Sequence, residues 1–279
     1  MPTPRSRNLP VPRRRLAAWI LVAVVALPVS ACGADTDDDP ALSSTSPASR
    51  SAPDPGEDRP ADVLDLSTWK LTLPVGSDED DAEEIRQPDL ATFSDDRFFT
   101  VTRDGSGVVF RAPAGGATTS GSGYPRSELR EMSSCGTSEA SWSNASGTHV
   151  MTVKQAITAL PRRKAEVVAG QIHDADDDVV MVRLERKRLF VEADGDDIGT
   201  LDASYDLGTT FTIVMKANAD GIEIRYDSDN IDRAKVVRYD KVGQGYYFKA
   251  GCYTQSNSSH DDDDALGEVI VYALDVEHT

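Results

Sequence analysis

Three short stretches constrain the fold most, because polar and apolar residues alternate along each of them. They are residues 126–130 (RSELR), 171–173 (QIH) and 247–255 (YFKAGCYTQ). Alternation with a period of two is typical of a β-strand with one buried face, since successive side chains point to opposite sides of a sheet. If the three strands lie side by side, one face of the sheet carries Arg126, Glu128, Arg130, Gln171, His173, Lys249, Tyr253 and Gln255.

The rest of the chain favours an all-β sandwich. Short β-rich segments recur with Gly, Asp and Asn turns between them, and few segments show a helical period. One short helix is possible at 85–93. Strands are predicted at 69–73, 98–103, 108–112, 126–132, 149–157, 167–173, 179–185, 188–192, 210–217, 221–226, 236–239, 246–255 and 269–276.

The N-terminal segment predicts export. Three arginines at 13–15 precede an apolar run at 16–29, which is too short for a stable membrane span, and small residues then lead to Cys32. This order resembles a bacterial signal peptide with a lipobox, so we expect residues 1–32 to be the signal and Cys32 to be lipidated. The alternative is an ordinary secretory signal cleaved near Ala31. A twin-arginine signal fits poorly.

Residues 33–61 are rich in Asp, Ser, Pro and Ala and nearly lack large apolar side chains. Such a segment cannot bury enough surface to offset the entropy of ordering, so we predict a disordered linker. The remaining residues, 62–279, suit one domain. The protein is then expected at the cell surface, anchored to the membrane only through Cys32, or secreted if Cys32 is not lipidated.

The net charge excludes one class of partner. It is −18 for the whole chain and −23 without residues 1–32, which hold five arginines and no acid. Nucleic acid is therefore not expected as a partner. Binding of an anionic polymer requires a local basic groove in an acidic surface. The acidic runs 176–178 and 261–264 are interpreted as solvated loops, and neither a metal site nor a cofactor is predicted.

The polar face suits elimination from a polymer of uronic acids. That reaction needs groups that neutralise the carboxylate, a base for the C5 proton and an acid for the leaving oxygen at C4. Arg126 and Gln171 can polarise the carboxylate, and His173 can serve as the base near neutral pH. Tyr253 can donate a proton, or accept one if nearby positive charge from Lys249 favours tyrosinate.

These three motifs, in this order, resemble the signature strands of alginate lyases of polysaccharide lyase family seven. The resemblance extends from about Leu64 through 69–71 and 140–142 to the last strand. It implies a β-jelly roll with a catalytic groove on one sheet and alginate as the partner of a monomeric enzyme. The implied catalytic residues are Arg126, Gln171, His173 and Tyr253, and the implied substrate-binding residues are Glu128, Arg130, Lys249 and Gln255. The QIH form of the second motif suggests acceptance of guluronate.

Other functions remain open at this point. A catalytically inactive polyuronate-binding module would not need all four catalytic residues, and a lyase on another polyuronate, such as glucuronan, would use the same chemistry. A glycoside hydrolase needs two carboxylic acids across the bond, and only Glu128 is evident on the polar face. Export also permits a disulfide, and strand parity places Cys135 and Cys252 on the core side, so they form a candidate pair.

Overall fold

The structure, a computed structural model, describes residues 59–76, 81–133, 135–228 and 234–279. These residues belong to one compact unit that is almost entirely β-structure. The predicted signal peptide, Cys32 and nearly all of the predicted linker lie outside the described residues. None of the helices in the described part of the chain is long and apolar enough to cross a membrane.

Within the described residues, seventeen strands follow one short helix, α1 (Pro60–Val63). They are β1 (Trp69–Gly76), β2 (Ala82–Ile85), β3 (Phe99–Val101), β4 (Val108–Pro113), β5 (Arg126–Ser133), β6 (Ser138–Glu139), β7 (Trp142–Ser143), β8 (His149–Ala159), β9 (Glu166–His173), β10 (Asp178–Glu185), β11 (Arg188–Ala193), β12 (Asp196–Asp202), β13 (Phe211–Asn218), β14 (Gly221–Ser228), β15 (Lys235–Tyr239), β16 (Gln244–Thr254) and β17 (Leu266–His278). A 3-10 turn, Asp89–Ala91, lies between β2 and β3.

The strands form two antiparallel sheets, which confirms the predicted all-β jelly roll. The larger sheet has the order β12-β11-β10-β9-β16-β5-β1-β2, with β6 beside β5 and β7 beside β16. The smaller sheet has the order β15-β14-β13-β8-β17-β4-β3. The three motif strands β9, β16 and β5 are therefore neighbours at the centre of the larger sheet.

One continuous apolar core lies between the sheets. The inward faces of the motif strands contribute to it through Leu129, Ile172, Phe248, Ala250 and Cys252, which are fully buried. This is the alternation that the sequence predicts, and it leaves the other face of each strand free for polar groups.

Glu131 of β5 is a buried carboxylate that points to the core side and joins the sheets. Its Oε1 lies 2.7 Å from Nε2 of His278, near the end of β17. Its Oε2 accepts hydrogen bonds from Trp142 Nε1 at 3.0 Å and from the Phe248 backbone N–H at 2.9 Å. His149 Nδ1 lies 2.7 Å from His278 Nδ1 and extends the cluster to β8. These polar contacts tie both sheets together at one end of the core.

The predicted disulfide between Cys135 and Cys252 is wrong. Cys252 is a free, buried thiol. Its register partner on β5 is Ser127, whereas β5 ends at Ser133 and Cys135 lies in the following turn with a φ of 55°. The six-residue step from Ser127 to the end of β5 at Ser133 spans about 20 Å, so Cys135 lies far beyond the ~7 Å from Cys252 that a disulfide can bridge. The alternation of faces along β5 does not extend to Cys135, because the strand ends at Ser133.

Two short segments can be compared with the prediction. Helix α1 starts at the buried Pro60, within the last residues assigned to the linker, and the domain bounds stay a prediction. The region suggested as one helix, 85–93, instead holds the end of β2 and the 3-10 turn.

Candidate active site

A cleft of about 540 Å³ crosses the larger sheet above the motif strands. It runs from β1 and β2, over β5, β16 and β9, to the turn that follows β9. The residues that line it include Lys70, Thr72, Glu84, Ser122, Arg126, Arg130, Glu139, Gln171, His173, Asp176, Asp177, Asp178, Tyr247, Lys249 and Tyr253. All four predicted catalytic residues are therefore brought together in one cavity.

Strand register explains how distant residues meet there. Lys249 of β16 lies between Gln171 on one side and Arg130 on the other, and Tyr253 lies opposite Arg126. Between Lys249 and Tyr253 the pairing with β9 shifts by one residue, and Gly251, which lies in this interval, has a φ of 130°. A Cβ at Gly251 would lie 2.7 Å from the Ser127 carbonyl oxygen. Only glycine allows this close approach, and the pairing with β5 stays in register through it, so Lys249 and Tyr253 share one face.

Glu128 is the carboxylate at the centre of the site, but it lies below the cavity floor. Its exposed fraction is 1% and it does not line the cleft. It accepts hydrogen bonds from Arg126 Nη1 at 3.1 Å, from Lys249 Nζ at 2.7 Å and from Gln171 Nε2. The structure thus shows Glu128 contacting the groups that face the cavity, and a direct substrate-binding role for Glu128 stays a prediction.

The charged groups in this cluster shift one another's pKa values. Burial alone would raise the pKa of Glu128, but the cations Lys249 and Arg126 outweigh burial and hold that pKa below its ordinary value. Burial lowers the pKa of Lys249 to about 8, although the Glu128 carboxylate opposes the fall. Glu128 is therefore ionised at neutral pH, and Lys249 is close to losing its proton above that.

His173 is arranged as a base. Its Nδ1 lies 2.7 Å from the Asp174 carbonyl oxygen and 3.0 Å from Tyr247 Oη, and its ring stacks on Tyr247. A carbonyl only accepts hydrogen bonds, so Nδ1 carries a proton and the neutral ring keeps its lone pair on Nε2. Burial, helped by the nearby Lys249 charge, lowers the pKa of His173. Both effects favour the neutral, proton-accepting form.

Tyr253 is held by two contacts, one of which the sequence did not indicate. Its Oη lies 2.8 Å from Oγ of Ser122, and the Arg126 guanidinium lies 3.8 Å from the centre of its ring. Ser122 is itself fixed by the Tyr124 backbone N–H, which donates to its Oγ at 3.1 Å. Ser122 belongs to the loop before β5, and a loop serine has no periodic pattern that could have revealed this contact.

The rims of the cleft carry paired charges. Arg130 lies over the Tyr247 ring at 3.9 Å, and Lys70 bonds Glu84 and Glu139. At the other end, burial and the neighbouring Asp177 raise the pKa of Asp178 to about 6. The run 176–178 therefore forms a cavity wall and not only a solvated loop. No group of His, Cys, Asp and Glu side chains within the described ranges has the arrangement of a metal site.

Gln255 differs from the other predicted substrate-binding residues. It follows the last residue of β16, is buried, and does not line the cleft. Arg130 and Lys249 do line it. A role for Gln255 in binding stays a prediction.

Comparison with known proteins agrees with this geometry. The family model for alginate lyase (alginate lyase 2 type) matches residues 64–278. An alginate lyase from Klebsiella pneumoniae is 29% identical over 269 residues, covering 73% of this chain and 87% of that protein.

Solved structures give the same result. Alginate lyase AlgAT5 from polysaccharide lyase family 7 is 50% identical with a TM-score of 0.74, covering 79% of this chain and 99% of that one. The alginate lyase from Corynebacterium sp. is 42% identical with a TM-score of 0.73, covering 81% and 100%. Alginate lyase A1-II′ was crystallised as variants with a product (GGG) and with a substrate (GGMG). Both structures are 26% identical to this chain with a TM-score of 0.65, and the match covers 79% of this chain and 99% and 97% of theirs. The chain therefore belongs to the alginate lyase family and is a polysaccharide lyase with the jelly-roll fold.

Proposed function

We propose that the protein cleaves the 1,4-glycosidic bond of alginate by β-elimination and accepts guluronate. The observation that carries this proposal is the convergence of Arg126, Gln171, His173 and Tyr253 on one cleft. The complexes of alginate lyase A1-II′ with a substrate and a product support alginate as the ligand class.

The proposed reaction begins at the uronate carboxylate. Arg126 and the Gln171 amide would hydrogen-bond it, and Lys249 would add positive charge, so that charge developing at C5 spreads onto a neutralised carboxylate. The base removes the C5 proton, the C5–H electrons form the C4–C5 double bond, and the C4–O bond breaks. Tyr253 then donates its proton to the leaving oxygen. The product carries a 4,5-unsaturated uronate at its new non-reducing end.

The geometry of His173 suggests how the base is chosen. Guluronate and mannuronate are C5 epimers, so the C5 hydrogen is anti to the leaving oxygen in guluronate and syn in mannuronate. Nε2 of His173, free of any hydrogen-bond partner among the described residues, is suited to the anti proton. In mannuronate, Tyr253 could act as both base and acid.

The direct test is ultraviolet absorbance of the conjugated product on polyguluronate, polymannuronate and glucuronan. We expect the absorbance to increase with time on the two alginate blocks. Tyr253→Phe should reduce the rate of this increase by about 10²–10⁴-fold while the fold is kept. Absorbance on glucuronan alone would favour the alternative substrate. Binding without any unsaturated product would favour the inactive module.

The division of roles has its own test. His173→Ala should reduce cleavage of polyguluronate more than cleavage of polymannuronate, because only the former needs the separate base. Equal losses on both blocks would contradict this division.

We also propose that the protein is exported as a monomer and anchored through Cys32. The sequence features at 13–32 support this proposal. Labelling of cells with a radioactive fatty acid, compared with Cys32→Ser, tests the anchor, and sedimentation of the soluble domain tests the monomer. An unlabelled wild-type protein in the medium would indicate simple secretion.

A further inference from the structure

Glu128 places a negative charge directly beneath a cleft that suits a polyanion. Its three partners, Arg126, Gln171 and Lys249, all line the cleft, whereas Glu128 does not. A buried carboxylate is costly unless it is paired and fully hydrogen-bonded, and here both oxygens are used. The cluster therefore uses Glu128 to hold its neighbours.

We propose that Glu128 is a positioning residue that orients the carboxylate-binding groups of the cleft and does not itself bind substrate. The proposal rests on the function proposed above. It concerns how the donors are held before substrate arrives, which is the source of transition-state stabilisation in such sites.

The first consequence concerns the Gln171 amide. An ionised carboxylate only accepts hydrogen bonds, so the atom facing Glu128 Oε1 must be Nε2. One N–H of Gln171 is thereby committed to Glu128, and the amide plane is fixed. The second N–H and the Oε1 atom of Gln171 are then presented to the substrate in one fixed orientation.

The second consequence concerns Lys249. Burial and the nearby Arg126 and Arg130 charges favour its neutral form, and Glu128 is the negative group that opposes them. Without Glu128, Lys249 would lose its proton at a lower pH. Glu128 thus keeps a cation available for the substrate carboxylate.

Glu128→Gln tests both consequences with little change in volume. A glutamine amide offers one oxygen and one NH2 group, so its NH2 group must face at least one of the present donors. We expect kcat to fall roughly 10²-fold, in the range for loss of one preorganised donor. At acidic pH, where Lys249 keeps its proton in the variant, KM should not rise, because the cleft floor loses a negative charge. Glu223→Gln, on the outer face of β14, controls for net charge and should leave both constants unchanged.

Two further measurements separate positioning from a merely structural role. In a Tyr253→Phe background, calorimetry with a guluronate trimer should show that Glu128→Gln does not weaken binding at acidic pH, where Lys249 keeps its proton in both proteins. The loss of binding at alkaline pH should begin at lower pH than in Tyr253→Phe alone, because Lys249 is no longer held charged. This binding readout works even if no polyuronate proves to be cleaved, so it distinguishes failure of the present proposal from failure of the proposed function.

Glu128→Asp provides a second variant if Glu128→Gln does not fold. It keeps the charge but withdraws it from Gln171 by one methylene. We expect kcat to fall, whereas KM and the pH at which trimer binding is lost should be unchanged. The proposal is overturned if either variant raises KM while kcat is kept, which would make Glu128 a substrate-binding residue, or if both leave kcat at the wild-type value.

Discussion

Glu128 and Glu131 lie three residues apart on β5, and both are buried, yet they face opposite sides of the larger sheet. Glu128 contacts two fixed cations and an amide below the cleft. Glu131 contacts His278, Trp142 and a backbone N–H on the core side. Their positions differ by an odd number, so the alternation of a strand puts the two side chains on opposite faces.

The difference lies in what each carboxylate holds. Glu128 holds side chains that face the substrate, so its loss should appear in catalysis. Glu131 holds strands of both sheets, so its loss should appear in stability. One strand thus serves chemistry on one face and assembly of the sandwich on the other, and mutations on the two faces should separate activity from stability.

The largest effect is expected for Arg126→Ala on the cleft face. It removes a group proposed to neutralise the uronate carboxylate, which should cost about 3–4 kcal/mol in kcat/KM. Steady-state rates on polyguluronate measure this loss, and circular dichroism checks that the fold is kept. Arg97→Ala, which removes an exposed guanidinium paired with Asp95, is the matched control and should have no effect. A rise in KM alone would mean that Arg126 binds ground state and transition state equally.

The core-face counterpart is Glu131→Ala. It leaves the Trp142 Nε1–H and the Phe248 N–H without their acceptor, and buried donors left unpaired cost about 1–3 kcal/mol each. We expect the free energy of unfolding to fall by about 2–4 kcal/mol, with kcat near wild type well below the melting temperature. Chemical denaturation measures it, and the exposed Glu277→Ala is the control. Loss of activity in the folded variant would break the proposed separation of the two faces.

A smaller effect concerns pH and Lys249, whose pKa is lowered to about 8 by burial. Above that pH the ammonium loses its proton, so the affinity of the empty cleft for an anionic trimer should fall by up to about tenfold per pH unit. Calorimetry with Tyr253→Phe measures this. Lys249→Arg keeps its charge at these pH values and should remove the dependence. Constant affinity from pH 7 to 10 would show that Lys249 does not contribute its charge.

The smallest expected effect is a shift of the acid limb of kcat/KM on polyguluronate. Burial lowers the pKa of His173 from 6.5, so the neutral base persists to lower pH than an ordinary histidine. The profile of kcat/KM reports the free enzyme, so its acid limb should lie below pH 6.5. A limb above 6.5 would contradict the assignment of His173 as the base.

Much of this arrangement could be predicted because alternation specifies the face of each residue. The thirteen predicted strands are all present within a few residues of their expected bounds, and the motif residues meet as neighbours. The short strands β2, β6 and β7 and the acidic strand β12 were missed, because each carries too few apolar residues to show a period.

Alternation does not specify depth or loop position. It places Glu128 on the polar face but cannot show that Arg126, Gln171 and Lys249 cover it. The contact between Ser122 and Tyr253 arises from a loop that packs against a distant strand, and Asp178 reaches the cavity wall as the first residue of β10, after an acidic turn that has no apolar period. The same limit produced the wrong disulfide, since Cys135 lies in a turn, where the face of a side chain no longer follows from its number.

The position of His278 has a practical consequence for protein engineering. Its imidazole reaches Glu131, and the next residue, Thr279, exchanges two backbone hydrogen bonds with Thr148. Deleting these two residues would remove a tether to the strand that carries Arg126 and Arg130. A fusion partner or purification tag joined after Thr279 should therefore carry a flexible spacer, and trimming into β17 should be avoided when the enzyme is immobilised or joined to a carbohydrate-binding domain.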